Sequence, residues 1–422
     1  MWLLPALALA AACGIPAKDT AADTTRLEYD LHYDIEANAA NGHFEVELSV
    51  GQASRLLREI RFSFDPVRFE SFDAQGELQV GNGELRWFVP ESGGTLSWRV
   101  DGRRQRAGNG YDAWLGNDWG LLRAERLIPR AETRARKAAR SRTSLSFDLP
   151  RSWSAITQYP EEDGAFVVRN PQRRYDEPSG WIVLGKLGVR FDDIAGTRVL
   201  VAGPENNGVR RLDMLAFLNW TLPEVRRLVA ELPPRLTIVS AGAPMWRGGL
   251  SASDSLYMHA ERPLISENGT STLLHEVLHV ALGLRSNPGF DWIVEGLAEY
   301  YSLELLRRAG GLSDSRYAAA LQTQRDWGKD ADVLCADPSK GARTARAVTL
   351  FAELDREIRS ASDNERSLDD IVAALLEKPS RRLNLDALQE AAGSVLGSRP
   401  EALASGALPG CAPMARAEGD RL

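Results

Sequence analysis

The chain has 422 residues, enough for two or three domains. Hydrophobic residues make up 44% and charged residues 26%, the balance of an ordinary globular protein. The net charge of −7 leaves no electrostatic footprint for nucleic acid, and no such partner is expected.

The first residues, "MWLLPALALAAACG", form a short apolar run ending in small side chains. The run is too short to span a bilayer as a helix and fits the apolar region of a secretion signal. Cys13 follows three alanines directly, which resembles a bacterial lipoprotein signal, where the cysteine is lipidated and becomes the new N-terminus. The expectation is an exported protein at the periplasmic face of a bacterial membrane, or otherwise a secreted or periplasmic one. It would touch the membrane only through the lipid anchor on Cys13, with residues 1–24 as signal and linker. Cys335 and Cys411 then remain, and two leftover cysteines in an exported chain suggest one disulfide. It would tie the tail "LPGCAPM" to the loop "DVLCADPSKG".

Residues 25–205 read as a β-sandwich-like domain. "HFEVELSV", "IRFSFDPVRFESF", "GTLSWRV", "SLSFDL", "GWIVLGKLGVRF" and "TRVLVAG" alternate or run apolar between turn residues. No cluster of chemistry-bearing residues stands out there, and His32 and His43 read as structural or surface residues. The basic run "LRAERLIPRAETRARKAARSR", residues 122–142, reads as a solvated loop or face.

From 206 the pattern turns helical: "NGVRRLDMLAFLNWTLPEVRRLVAELP", with Pro223 as a helix breaker. "RLTIVS" is a strand, and "GAPMWRGGLSASDSLYMHAE" reads as a loop with an edge strand. Thr and Ser in "NGTST" cap the helix that follows. Residues 311–400 read as a helical domain, made of "DSRYAAALQTQRDWG", "ARAVTLFAELDREIRS", "SLDDIVAALLEK" and "NLDALQEAAGSVLG". Residues 401–422 read as a tail.

The chemistry concentrates in "TLLHEVLHVALGLRSNPGFDWIVEGLAEYYS", residues 272–302. Positions i and i+4 share one helix face, so His275 and His279 can point two imidazole nitrogens at one ion. Glu276, beside His275, can reach a water at that ion as a general base. "SNPG" is a turn, and the helix after it brings back Glu295, the third ligand of an open catalytic zinc site. Glu299, one turn further, is placed to accept a hydrogen bond from the outer nitrogen of a ligating histidine. A histidine pair merely neutralised by these glutamates would be a costly burial without purpose. One zinc ion per chain is expected.

"HEVLH", "WIVEGLAEYY", "RYDEPSGWIVLGKLGVRF" and above all "FAELDREIRSASDNERSLDDIVAALLE" resemble the glycyl-aminopeptidase-type zinc metallopeptidases of the gluzincin group, which includes the alanyl aminopeptidases and thermolysin. The resemblance implies an α+β chain with an N-terminal β domain, a thermolysin-like catalytic domain at 206–310 and a helical domain, here without the family's PDZ domain. It implies His275, His279 and Glu295 as zinc ligands, Glu276 as base, and Glu299 as the residue orienting the first histidine. Two family features are missing. Ser251 in "GGLSAS" stands where the family has a glutamate that holds the substrate's free amine. The family's tyrosine ahead of the "LD" aspartate, Asp355 here, is also absent. Arg343, Arg346, Tyr317 and His259 are the candidates for the oxyanion donor it would supply, with His259 read first as a strand-end structural residue. Asp254 and Glu261 are the nearby carboxylates that can compensate for Ser251.

The reading is an exported zinc-dependent peptidase acting on a peptide or protein substrate, with aminopeptidase specificity weakened. The competing class is a scaffold or binding lipoprotein on a degenerate peptidase fold.

Overall fold

The computed structural model describes residues 27–169, 175–404, 406 and 408–411. Cys13 lies outside them. The fold is mixed α+β. Among the described residues no helix is long and apolar enough to cross a membrane.

Strand Glu28–Asn38 alternates buried and exposed side chains, as a strand with one face on a core must. It pairs in parallel with Arg140–Asp148 and antiparallel with His43–Gly51, inside a seven-stranded sheet. A four-stranded sheet of Ala131–Ala135, Leu57–Ser63, Glu84–Phe88 and Glu77–Gly81 supplies Leu57, Ile60, Phe62 and Trp87 to the same core. His32 sits between Ser144 and Ser146 on the neighbouring strand, at 2.8 and 3.0 Å, and His43 lies 3.5 Å from Glu45.

A five-stranded sheet forms the next layer, in the order Ser154–Ile156, Trp181–Gly185, Trp119–Arg123, Tyr111–Leu115, Arg104–Gln105. Trp181–Gly185 is buried at every position. Side chains alternate faces along a strand, so such a run must be covered on both sides. Ile182 and Leu184 enter the first core. Trp181 and Val183 face the other way, onto Leu200, Ala202, Val239, Ala241 and Tyr257 of a further sheet.

That further sheet runs Leu187–Ile194, Thr197–Pro204, Arg235–Ala241, Ser255–His259, Gly249–Ser251. Its three central strands are parallel and its two edges antiparallel. Ser255–His259 is therefore an interior strand, and the edge position falls to Gly249–Ser251. The Trp181 indole N–H donates to the Leu250 carbonyl at 2.8 Å and pins this edge.

The described helices are α1 Arg211–Leu228, α2 Thr272–Leu282, α3 Asp291–Arg308, α4 Asp314–Gly328, α5 Ala342–Ala361, α6 Leu368–Leu376 and α7 Leu385–Leu396. Pro223 does not break α1. Its missing N–H removes one backbone bond, but Leu215, Leu218, Leu222 and Val225 are buried on either side of it and hold the helix to the sheet. One apolar core extends from Ile194 to Leu408 and takes in side chains from all seven helices. The segment read as a tail is docked as far as Cys411. Leu403 and Leu408 are buried, and Cys411 is bonded to Cys335 with the Cα atoms 5.0 Å apart.

Candidate metal centre and its cleft

Ser271 caps α2 by accepting the Leu274 N–H at 3.2 Å. Leu273, Leu274, Val277, Leu278 and Ala281 bury one side of the helix, which leaves His275 and His279 on the other, one turn apart. After the turn at Asn287–Phe290, α3 starts with an anion at its positive end. The Asp337 carboxylate accepts the N–H groups of Gly289 and Asp291, at 2.7 and 3.2 Å. Asp291 in turn accepts the Ser339 N–H at 2.9 Å. Gly296 lets α3 approach α5 closely, since a Cβ there would lie 2.5 Å from the Ala347 methyl. This packing sets Glu295 over the histidine pair.

The three donors converge. His275 Nε2 and His279 Nε2 are 3.0 Å apart, and each is 3.4 Å from one of the Glu295 oxygens. Ligand atoms about 2.0–2.1 Å from a common zinc ion at tetrahedral angles would be about 3.4 Å apart. The spacing and the donor types therefore fit a divalent ion such as zinc, and these three residues form the described group able to hold a metal. The Glu299 carboxylate lies 2.9 Å from His275 Nδ1. With Nδ1–H donating to Glu299, the Nε2 lone pair is left facing the site. Burial alone would push the His275 imidazole down, but its bonds to Glu295 and Glu299 hold it well above the usual histidine range. Burial pushes the Glu295 carboxyl up, and the two histidines outweigh it and hold it well below the usual carboxylate range.

Glu276 is buried against the edge strand. A Cβ at Gly249 would come within 2.7 Å of Thr272 Cγ2, 2.9 Å of Glu276 Cγ and 3.0 Å of Glu276 Oε1. Glycine at this position is what lets the carboxylate lie beside the strand. Glu276, His275, His279 and Glu295 open together into a cleft of about 1080 Å³. One wall is the Gly249–Ser251 edge with Arg104–Ala107, Asp112 and Arg126. The other is Leu284–Ser286 with Pro338–Lys340.

Ser251 lines the cleft. Asp254 and Glu261 do not, and Glu261 is engaged with Arg247 at 3.3 Å. Neither do the four candidate oxyanion donors. Tyr317 packs under Arg307, with the guanidinium 5.3 Å from its ring. Arg343 donates to the Val333 and Pro338 carbonyls. Arg346 lies on α5, outside the cleft lining. His259 is buried at its strand end and accepts the Glu261 N–H at 3.2 Å. The cations that do line the cleft are Arg104, Arg106, Arg126, Arg285 and Lys340. Arg126 falls in the run read as a solvated loop or face, and Arg104 and Arg106 in the region read as chemically silent. The only local signal was density, three arginines in four residues at "RRQR".

No protein-family model matches the chain, and no curated protein sequence matches it. The architecture defines an aminopeptidase N-like fold. It is similar to the crystal structure of an aminopeptidase N family protein from Idiomarina loihiensis, with a TM-score of 0.64 and 15% identity, over 87% of this chain and 71% of that one. At that identity the likeness is one of fold.

Proposed function

We propose that the protein is an exported zinc-dependent peptidase, related in its site to the glycyl-aminopeptidase-type gluzincins. The observation that carries the reading is the convergence of His275, His279 and Glu295 at zinc-ligand spacing, with the Glu276 carboxylate in the same cleft. A closed structural site would take four protein ligands and no adjacent base. When bound, zinc would lower the pKa of a water and polarise a peptide carbonyl. The Glu276 carboxylate takes the water's proton and delivers it to the leaving amine nitrogen. Glu299 fixes the His275 ring through Nδ1, and the Gly249–Ser251 edge bounds the groove in which an extended peptide lies.

Export is supported by the N-terminal signal pattern and by the disulfide. Lipid on Cys13 is tested by mass spectrometry of the membrane fraction, where an unmodified mature start elsewhere removes the anchor. The site is tested by elemental analysis and by digestion of a mixed peptide library. The wild type should hold one zinc per chain and cleave. His275→Ala and Glu295→Ala should lose the metal. Glu276→Gln should keep the metal and lose hydrolysis. Full zinc in His275→Ala or Glu295→Ala sinks the site, and a zinc-loaded wild type that cleaves nothing turns the reading to a scaffold.

A further inference from the structure

The cleft carries more positive charge than its chemistry uses. The protein as a whole is acidic, at −7. The cleft lining reverses that balance, with five cations, Arg104, Arg106, Arg126, Arg285 and Lys340, against the four carboxylates of Asp112, Glu276, Asp291 and Glu295. Two of these carboxylates, Glu276 and Glu295, belong to the metal group and its base. Asp291 is bonded to the backbone of Ser339. Of the lining carboxylates that leaves Asp112 beside the arginines of its wall; Glu125 also acts on Arg126, from outside the lining, but is itself bonded to Arg123.

Asp112 does not neutralise them alone. Arg104 Nη1 and Arg126 Nη2, the latter at 3.2 Å, both donate to the same Asp112 oxygen, Oδ2, while Oδ1 is buried with no partner among the described residues. Each guanidinium has five N–H donors, and these are the hydrogen bonds the two side chains make to described residues. Most of their donors are unspent. Arg68 stands behind them, buried, with Nε lacking a partner among the described residues. Burial, and then repulsion from Arg126, holds the Arg68 guanidinium below its usual range, though still charged. On the solvent side, Arg106 stacks on Trp246 with its guanidinium 4.0 Å from the ring. That stack holds the cation against the ring, and its N–H edge has no hydrogen-bond partner among the described residues.

We propose that Arg104, Arg106 and Arg126 form a subsite that binds a carboxylate of the substrate, so that the cleft selects acidic peptides. This rests on reading the cleft as a peptide site. Asp112 acts as a positioning residue, since its Oδ2 sets two guanidiniums side by side, and planar guanidinium edges recognise carboxylates by paired hydrogen bonds. The same excess of cations disfavours a substrate ammonium in this part of the cleft. The carboxylate comes either from an aspartate or glutamate side chain or from the peptide's C-terminus.

The test is equilibrium binding, which does not require turnover. Labelled peptides with a central Glu, or Gln in its place, each as C-terminal acid and amide, are titrated into zinc-loaded Glu276→Gln protein. The expected result is a Kd about ten- to a hundredfold lower for at least one carboxylate form than for its neutral partner. A preference for Glu over Gln assigns the subsite to side chains, and a preference for acid over amide assigns it to the C-terminus. Arg104→Gln and Arg106→Gln, both on exposed or half-exposed positions, should each shrink the preference, as should raising salt to about 0.5 M. Equal binding of charged and neutral peptides, or no binding of any, overturns the proposal. Hydrolysis of the library by wild type is scored separately, so active cleavage without charge preference refutes the subsite and leaves the peptidase reading standing.

Discussion

Glu299, one turn beyond Glu295 on α3, offers the sharpest test of the candidate metal centre. Glu299 lies 2.9 Å from His275 Nδ1, with both side chains largely sheltered, at 18% and 15% exposure. Glu299→Leu removes the charged acceptor without touching a donor to the metal. Such outer partners of a ligating histidine are worth about ten- to a hundredfold in metal affinity, or about 1.4–2.7 kcal/mol. The lower half of that range applies here, because His275 is one of three ligands and its ring is still confined by α2 and by contact with His279, 4.7 Å away between ring centroids. Glu299→Gln keeps an oxygen that can accept the Nδ1–H but not its charge, so it should fall between wild type and Glu299→Leu. Competition against a chromophoric chelator measures zinc affinity, with circular dichroism as a control for folding. The reasoning fails if Glu299→Leu holds zinc as tightly as wild type.

Gly249→Ala should keep zinc and lower hydrolysis by about a hundredfold, the scale of an ångström-sized misplacement of a catalytic group. The new methyl would press on Thr272 Cγ2 and on Glu276 Cγ and Oε1, and unchanged turnover would mean that Glu276 does not need its present seat. Glu59, buried between Arg86, Arg61 and Arg134, is held down to about 2 by hydrogen bonds from Arg86, against burial, and then from Arg61. A depressed carboxyl stabilises above its ordinary range and loses that contribution as pH falls from about 4.5 to about 2. The three arginines are 36–69% exposed, so the contribution is discounted to on the order of 1–2 kcal/mol. Urea unfolding should show Glu59→Gln losing that much at pH 7 and converging on wild type at low pH, whereas a gap that stays constant refutes it. Cys335→Ser should cost about 2–4 kcal/mol of stability, the usual range for a disulfide closing a long loop. A thermal midpoint unchanged from wild type would show that the bond constrains nothing.

The convergence of His275, His279 and Glu295 was legible because its information is local. Two histidines at i and i+4, a turn at "SNPG" and a glutamate on the next helix need only helical periodicity to be assembled. The seat of Glu276 was not legible, because it depends on Gly249, an edge-strand residue whose meaning is the space it leaves. The cationic wall was hidden for a different reason. Arg104 and Arg126 are more than a hundred residues from His275 in sequence, and only the packing of their five-stranded sheet against the sheet that ends in Gly249–Ser251 brings them to it. Continuous burial of "WIVLG" marks a strand covered on both faces, but not which sheets cover it. Pro223 misled because local backbone cost was weighed without the core that outweighs it.

The loop from Cys335 to Lys340 joins two jobs. Its Asp337 caps α3, which carries Glu295, and its Pro338, Ser339 and Lys340 form a wall of the cleft. The bond that anchors this loop reaches 76 residues forward to Cys411. A polypeptide is made, and crosses a membrane through a secretion channel, from its N-terminus onward. If the chain is exported, as proposed, the covalent link of this loop to the C-terminal segment would form only once Cys411 has arrived in a compartment that oxidises thiols, while Asp337 and Ser339 already hold the loop to α3. On that reading the bond can close only when the chain through Cys411 is present. A chain cut short before 411 would keep His275, His279 and Glu295 and still lack the staple on its cleft wall, so under the proposed function it would be less active than that residue set alone suggests.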